Sequence, residues 1–468
     1  MNKKITCLLI GAMVTGMCFA PINAYASNDR VTRISGSNRY ETSIEIAKKF
    51  ISDKKIDAVI LVSGEDYPDA LAGSILSKKY NAPIISLDFN PKDSIKQIEF
   101  IKENLNTSGK IYLLGGDRII SNSYVDEFKE LGYENIERIS GGDRYETNTK
   151  IVRKAEVKEG TPVIIASSES FADALSMSPI SGAKQYPILL TEKDTLEISA
   201  IKQIEEIKPK EVFIAGGVEA ISDKVQNEIK DMIANTKGSE VIRLAGKDRY
   251  ETSMKVLNHF KEELNDENIF VTGGKTFPDV LSGAALSAKT ESPILLSESQ
   301  SIVDSKPELD NYKSVNILGG KFSVEVFTEQ RLNNEKKFSF DVMSFYKSNG
   351  KKYMIGTFNK LSRDIQEVEE YCNFYKLKSK VINKGGKKPW MPDGYQDIPM
   401  STLITVEISD DVEIKVIEDE KISPDNLLGT NPITFDELMN GINWTGRPVF
   451  QVEFENNKIS KITQDYRP

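Results

Sequence analysis

Arg39, Arg144 and Arg249 occupy a place where a cation is disfavoured. Each opens the segment RYET, after SGSN, SGGD and AGKD respectively, and so falls in the first turn of a predicted helix, against the macrodipole. A positive charge kept there three times points to a specific partner. That partner is either an acidic side chain of a neighbouring unit or an anionic group taken from outside, and the two are compatible if the units close around one site. Tyr40, Tyr145 and Tyr250 follow directly on the apolar helix face, where packing of the ring is favoured over ligand contact. Arg33, Arg138 and Arg243, six residues upstream of these arginines, are read as preceding a strand at its opposite end, where salt bridging is the favoured role.

Hydrolytic chemistry finds little support. The only histidine is His259, which excludes a His-based zinc site and a nucleophile–His triad from the C-terminal part. Cys372 has no imidazole to activate it and reads as a half-buried helix residue. A two-carboxylate glycosidase is the rival reading, with Asp393, Asp397, Glu407, Asp410 and Asp411 available, but no spacing fixes a pair among them. Composition favours a non-enzyme without metal or cofactor.

The elements that position the arginines recur. RISGSNRYET from Arg33 returns as RISGGDRYET from Arg138 and RLAGKDRYET from Arg243, a period of 105 residues, long enough for each copy to bury its own core. Asn38, Asp143 and Asp248 each have glutamate three residues on, at Glu41, Glu146 and Glu251, which is capping-box spacing. Asp66, Ser170 and Thr276 stand in the same relation to Asp69, Asp173 and Asp279, which predicts helix capping there too. Apolar strands such as DAVILVSG, PILLT and SVNILGG alternate with amphipathic helices. The pattern predicts three tandem parallel-sheet α/β domains of the Rossmann or flavodoxin-like kind, at 31–136, 137–241 and 242–331. Gly36, Gly64, Gly115 and Gly116 follow strand ends in the first copy, as do Gly141, Gly216 and Gly217 in the second, and Gly246, Gly273, Gly319 and Gly320 in the third. Strand ends of an open parallel sheet line one edge, where ligands usually bind, although turn chemistry explains any single glycine. None of these loops reads as a dinucleotide fingerprint or a P-loop.

Residues 332–468 carry no further copy. TLITVEIS, VEIKVIE and VFQVEFENNKISKI alternate like strands, the last with a hairpin at Asn456-Asn457, and a helix is expected near Arg363 to Phe374. This predicts a separate, β-rich α+β domain. At the other end, Lys3 and Lys4, the apolar run Ile5–Ala20 and Ala24-Tyr25-Ala26 read as a secretory signal peptide over 1–26. Its removal takes Cys7 and Cys18, so the exported chain would keep one thiol and no internal disulfide. Removing Lys3 and Lys4 from 61 basic residues leaves 59 against 70 acidic, which gives no electrostatic reason to bind nucleic acid or anionic lipid. No further apolar run is long enough to span a membrane.

The three RYET segments, DYPDALAGS and TFPDVLSGA, the PIISL, PILLT and PILLS strands and the closing Gly-Gly pairs together resemble the clostridial cell-wall-binding repeat of type 2, present three times over 31 to about 331. The middle copy departs in ADALSMSPISG, which lacks the proline before the aspartate, and the first has Ile85-Ser86 where the others have two leucines. The resemblance implies three α/β domains packed about a pseudo-threefold axis. It also implies multivalent, non-covalent attachment of a surface-layer-associated protein to an anionic, teichoic-acid-like polysaccharide of the wall, with other surface-layer proteins as further partners. By that analogy Arg39, Arg144 and Arg249 are the candidates for polymer or inter-domain contact.

Overall fold

The computed structural model describes residues 30–51, 55–66, 71–275, 277–362, 396–399, 401–417, 430–432, 434–440 and 449–465. The expected signal peptide, the helix near 363–374 with Cys372, and Asp69, Thr276 and Asp393 lie outside the described residues.

The first repeat runs β1 (Val31–Ile34), α1 (Arg39–Phe50), β2 (Ile56–Ser63), α2 (Gly73–Tyr80), β3 (Ile84–Leu87), α3 (Ile95–Asn104), β4 (Leu105–Leu114) and α4 (Ser123–Glu130). The second is β5 (Ile136–Ile139), α5 (Arg144–Ala155), β6 (Val163–Ser167), α6 (Phe171–Lys184), β7 (Ile188–Thr191), α7 (Ile198–Ile207), β8 (Glu211–Ala215) and α8 (Asp223–Ile233). The third is β9 (Glu240–Leu244), α9 (Arg249–Phe260), β10 (Asn268–Gly273), α10 (Pro278–Thr290), β11 (Ile294–Ser297), α11 (Ser299–Leu309), β12 (Ser314–Leu318) and α12 (Val326–Leu332). The strands β2, β6 and β10 are almost wholly buried, as strands covered by helices on both faces must be.

The sheets are offset from the sequence repeat. Their orders are β3-β2-β4-β5, β7-β6-β8-β9 and β11-β10-β12-β1, all parallel. The strand that opens each RYET motif therefore completes the sheet of the preceding unit, and β1 completes that of the last, pairing Val31 with Val315 and Ile34 with Leu318. The N-terminal strand closes the three units into a ring.

Helices α2, α6 and α10 pack against one another at the ring's centre, within an apolar cluster drawn from all three units. A Cβ at Gly182 would come within 2.6 Å of the Ala288 Cβ, so α6 and α10 approach at backbone distance there. Lysines at the ends of these helices tie the ring cyclically. Lys79 donates to the Lys154 and Ala155 carbonyls at 3.0 Å, Lys184 to the Glu263 carbonyl at 2.8 Å, and Lys289 to the Phe50 carbonyl at 2.6 Å. Lys79 and Lys289 place a cation at the C-terminal end of the next unit's first helix, where the macrodipole favours it, and Lys184 places one at the short turn that follows that helix.

The C-terminal part is a small barrel. Its elements are β13 (Lys337–Ser348), β14 (Lys351–Ser362), β15 (Gln396–Pro399), β16 (Ile404–Ile417), β17 (Thr430–Pro432), α13 (Phe435–Asn440), β18 (Val449–Glu455) and β19 (Lys458–Asp465). Five strands close in the order β13-β14-β16-β19-β18, antiparallel except for β16 with β19. A register shift bends β13 between Val342 and Ser344, and α13 lies between the third and fourth barrel strands. This is the connectivity of the five-stranded Greek-key barrel known as the OB-fold. Asn456 and Asn457 form the expected tight hairpin, at φ 49° and 62°. The strands β13 and β14, which carry too many polar residues for an apolar run, were not anticipated from sequence.

Barrel and third unit share one apolar cluster. Phe327 of α12 stands 5.2 Å from Phe338 and 5.7 Å from Phe358, centroid to centroid. Arg331 lies over the Phe454 ring at 4.1 Å and donates to Asn457 Oδ1 at 2.8 Å. Gln300 of α11 bonds both the N–H and the carbonyl of Thr405.

Candidate functional site

Most of the repeated motif is scaffolding. Asn38, Asp143 and Asp248 cap their helices by accepting from the N–H of Glu41, Glu146 and Glu251 at 2.8–2.9 Å. The reciprocal bond lands one residue early. Glu41, Glu146 and Glu251 accept from the N–H of Ser37, Gly142 and Lys247 rather than from the cap itself. Hydrogen bonds from Lys96 and the Ser37 hydroxyl hold the Glu41 carboxyl at about 2, and the backbone bonds, together with Lys150 and Lys255, hold Glu146 and Glu251 below the usual range. Gly36, Gly141 and Gly246 donate to Thr42, Thr147 and Thr252 at 2.9–3.1 Å, and a side chain at any of the three would overlap the glutamate.

Arg33, Arg138 and Arg243 lie within their strands, near the C-terminal end and on the same edge as the glycine turns, not ahead of the strand at the opposite end. Their Nη1 groups donate to the carbonyls of Gly319, Gly115 and Gly216 at 2.7–3.0 Å, so each fastens its strand to the turn of the preceding unit. Arg33 also pairs with Glu329 at 2.9 Å and Arg243 with Asp223 at 3.6 Å. Burial pushes Arg138 and Arg243 below the usual guanidinium value.

Arg39, Arg144 and Arg249 are held differently. Each Nη1 donates to a carbonyl just past the second strand of its own unit: Gly64 at 2.8 Å, Ser168 at 2.5 Å and Gly274 at 2.7 Å. Arg39 also lies 3.3 Å from the exposed Glu65 carboxylate. The tyrosine rings pack against the same turns, since a Cβ at Gly64 or Gly274 would meet the ring of Tyr40 or Tyr250. Their hydroxyls stay engaged, Tyr40 with Glu65 at 2.9 Å and Tyr145 with Ser168 at 2.8 Å, and burial raises all three phenols.

Arg39 and Arg249 also act on a buried carboxyl of the neighbouring unit. Burial pushes the carboxyls of Asp279 and Asp173 upward, opposed at Asp279 by Ser323 and Arg39 and at Asp173 by Thr252 and Arg249. Asp279 is only 6% exposed and accepts from Ser323 Oγ at 2.9 Å. The expected capping pair is absent at Ser170, which makes no cap hydrogen bond, because Asp173 is turned toward Gly216 and Thr252. Gly216 and Gly319 have φ of 98° and 112°, and a side chain at either would overlap the aspartate oxygen. These two glycines are required both by the turn and by the acid.

The other strand-end glycines divide. Gly115 shares the positive φ, at 121°. A Cβ placed at Gly116, Gly217 or Gly320 would meet nothing within 4 Å, and these three are plain turn residues. Gly273 is backed by Ser323, and Gly274 is the one that receives the arginine. The sites thus bring together the arginine of one unit and the aspartate of its neighbour across each crevice for which both residues are described. Ser168, Gly274 and the lysines Lys79, Lys184 and Lys289 were missed, although the lysines also recur every 105 residues. Among the described residues no group of three His, Cys, Asp or Glu is placed to hold a metal.

The family model for cell wall binding domain 2 matches residues 33–125, 138–226 and 243–327, more than half of the chain and all three RYET units. The chain belongs to the cell wall binding domain 2 family. It is a cell wall and surface protein, and among the described residues no helix is long and apolar enough to cross a membrane. An amidase enhancer of Bacillus subtilis (strain 168) is 29% identical over 74% of this chain and 45% of its own length. N-acetylmuramoyl-L-alanine amidase LytC of the same organism is 24% identical over 69% of this chain and 62% of its own. Two solved structures share the fold. Cwp6 from Clostridium difficile has a TM-score of 0.55 at 25% identity over 62% of this chain and 45% of its own, and Cwp8 a TM-score of 0.56 at 26% over 65% and 52%. The chain thus spans less than two thirds of each of these relatives, and the activities in their names are theirs.

Proposed function

We propose that the three-unit ring attaches this protein to an anionic, teichoic-acid-like polymer of the cell wall through the crevices between units, and that it displays the C-terminal barrel there. The observation that carries this is the position of Arg39, Arg144 and Arg249. One motif sets each guanidinium at a strand-end turn, beside a helix N-terminus whose N–H groups favour anions. Three weak contacts on one rigid ring meeting a repeating polymer gain through effective concentration, so modest single sites give durable attachment. The inter-unit reading is part of the same geometry, because Arg39 and Arg249 also offset the buried charges of Asp279 and Asp173. Other surface-layer proteins are natural further partners for a displayed barrel.

A non-enzyme reading fits the barrel better than a glycosidase. A general acid needs a raised carboxyl, whereas Glu407 is held low by hydrogen bonds from Lys458 and Lys351, and Asp411 by Ser409. Incubation with purified walls should release no sugar or amine.

The test uses the full exported chain with Arg39→Gln, Arg144→Gln and Arg249→Gln, singly and together. Binding to isolated walls is measured before and after the anionic polymer is stripped, alongside the melting temperature. Single variants should weaken binding modestly, by about threefold, and the triple variant should remove most of it, with salt acting in the same direction. A folded triple variant that binds undiminished sinks the proposal, and an unstable one assigns the arginines to holding the units together.

A further inference from the structure

The outer face of the barrel carries a second, chemically different cluster. Tyr346 of β13 and Tyr353 of β14 are cross-strand partners whose rings stack at 5.1 Å and 19°. Both point away from the core, since their neighbours Phe345 and Met354 face inward, Phe345 against Phe435 and Phe450, and Met354 fully buried. On the next strand, Glu407 lies directly opposite Tyr353 and also faces outward, between the buried Val406 and Ile408. Two ammonium groups flank that carboxylate, Lys351 at 2.9 Å and Lys458 at 2.7 Å. Four strands thus present a stacked tyrosine pair, whose inner faces cover one another, with one carboxylate and two amines on one half-exposed patch. The hairpin turns at Asn349-Gly350 and Asn456-Asn457 border it.

We propose that this patch binds a neutral saccharide chain, with a pyranose ring lying against the outer face or edge of the stacked Tyr346–Tyr353 pair and its hydroxyls shared between Glu407 and the two lysines. Tyrosine offers a flat, amphipathic face that loses little entropy when it is covered, which suits the C–H face of a sugar. A carboxylate set between ammonium groups makes a site that both accepts from hydroxyls and donates to them. The charge on the patch discriminates among polymers. Glu407 neutralises one of its two lysines, and Asp410 and Asp411, both exposed, follow on the same strand, so no net positive field remains to draw in a phosphate polymer or a nucleic acid. The location agrees, since the outer face of the second and third strands of a barrel with this connectivity is where oligosaccharides and oligonucleotides are held. The competing explanation is a hairpin-stabilising aromatic pair with surface ion pairs, which would carry no ligand. A protein in a cell wall that grips an anionic polymer with its ring would then also touch neutral wall sugars with its barrel.

The experiment titrates the full exported chain with chitohexaose, a neutral oligomer of N-acetylglucosamine, and separately with poly(glycerol phosphate), following heat of binding. Chitohexaose should bind. The double variant Tyr346→Leu/Tyr353→Leu, which keeps apolar strand residues, should weaken that binding at least about tenfold with an unchanged melting temperature. Glu407→Gln should weaken it about threefold, and the triple arginine variant should leave it untouched. Absence of chitohexaose binding overturns the proposal, as does binding that survives the leucine variant or disappears with the arginines. A phosphate polymer competing at the tyrosines would overturn it too. If the leucine variant is unfolded, Glu407→Gln decides, and unchanged affinity overturns the proposal.

Discussion

The first and third units are copies of one another, yet the first leads into a further repeat and the third into a barrel. In the first, residues 88–94 connect β3 to α3 and cover the start of α4, where Tyr124 donates or shares its hydroxyl with the Asp88 and Asn90 carbonyls at 2.9 Å and Ser94 Oγ at 2.7 Å. In the third, Glu298 alone separates β11 from α11. Counted from the Gly-Gly turn, Thr328 stands where the first unit has Tyr124, and beside it Phe327, which has no hydroxyl to satisfy, is covered by three barrel phenylalanines. A loop has been removed and a domain seated in its place. The difference teaches how a repeat accepts cargo: the copy that carries a body trades a polar cover for an apolar one, and the body becomes continuous with its core.

The largest effect should come from breaking that continuity. Phe327 is fully buried, and Phe327→Ala should cost about 3–5 kcal/mol. Because one cluster spans both parts, the third unit and the barrel should melt together, in a single calorimetric transition that moves as a whole. Separate transitions, with only one displaced, would show that the barrel is an independent passenger. For the same reason a fragment ending at 331 would sever α12 before its buried last residue, Leu332, so wall-binding experiments are best done on the full chain.

The counterpart in the first unit is a polar loss. Tyr124→Phe should cost about 0.5–1.5 kcal/mol, since it removes a donor from two half-buried loop carbonyls. In the third unit Phe327→Tyr should also destabilise, because the barrel face meets that ring with phenylalanine rings. If Phe327→Tyr were neutral in thermal melts, the two covers would be interchangeable and the contrast between units would lose its basis.

The sequence was legible where a residue serves its own neighbours. The caps at Asn38, Asp143 and Asp248, the apolar strands and the hairpin at Asn456-Asn457 all follow from spacing of a few residues. It was illegible where the partner lies in another unit. No local pattern says that β1 pairs with β12 almost three hundred positions later, or that Arg33 fastens to Gly319. The aspartates showed the same limit: their spacing suggested capping, and only the packed ring shows Asp279 buried beside Ser323 with the Arg39 charge nearby. The barrel was read only in part, with a β-rich domain and the segments of β16, β18 and β19 expected but β13 and β14 missed, for a different reason. The outward residues of β13 and β14 are mostly polar, Lys, Ser, Asp, Thr and Tyr among them, and closure relies on long strands rather than on apolar runs.

The smallest effect compares two crevices of the ring. Asp279 and Asp173 both have carboxyls raised by burial, so between the ordinary aspartate value of 3.8 and the raised value the folded chain holds more protons than the unfolded one. Stability therefore falls as pH rises through that window, and the ionised carboxylates cost stability above it. The helix-start glutamates act in the opposite sense. Their contribution is present above 4.5 and disappears as pH falls through their lowered values, about 2 for Glu41. Asparagine imitates the protonated aspartate and still accepts from Ser323. Asp279→Asn should accordingly raise the melting temperature at neutral pH, and its advantage over the unaltered chain should shrink as pH falls toward 4. Asp173→Asn should follow the same course with a smaller amplitude, because Asp173 is less buried than Asp279. An advantage that stays constant with pH would mean that the two acids do not titrate differently on folding, and one that grows toward low pH would mean that the arginines outweigh burial and hold the aspartates ionised as true inter-unit ion pairs.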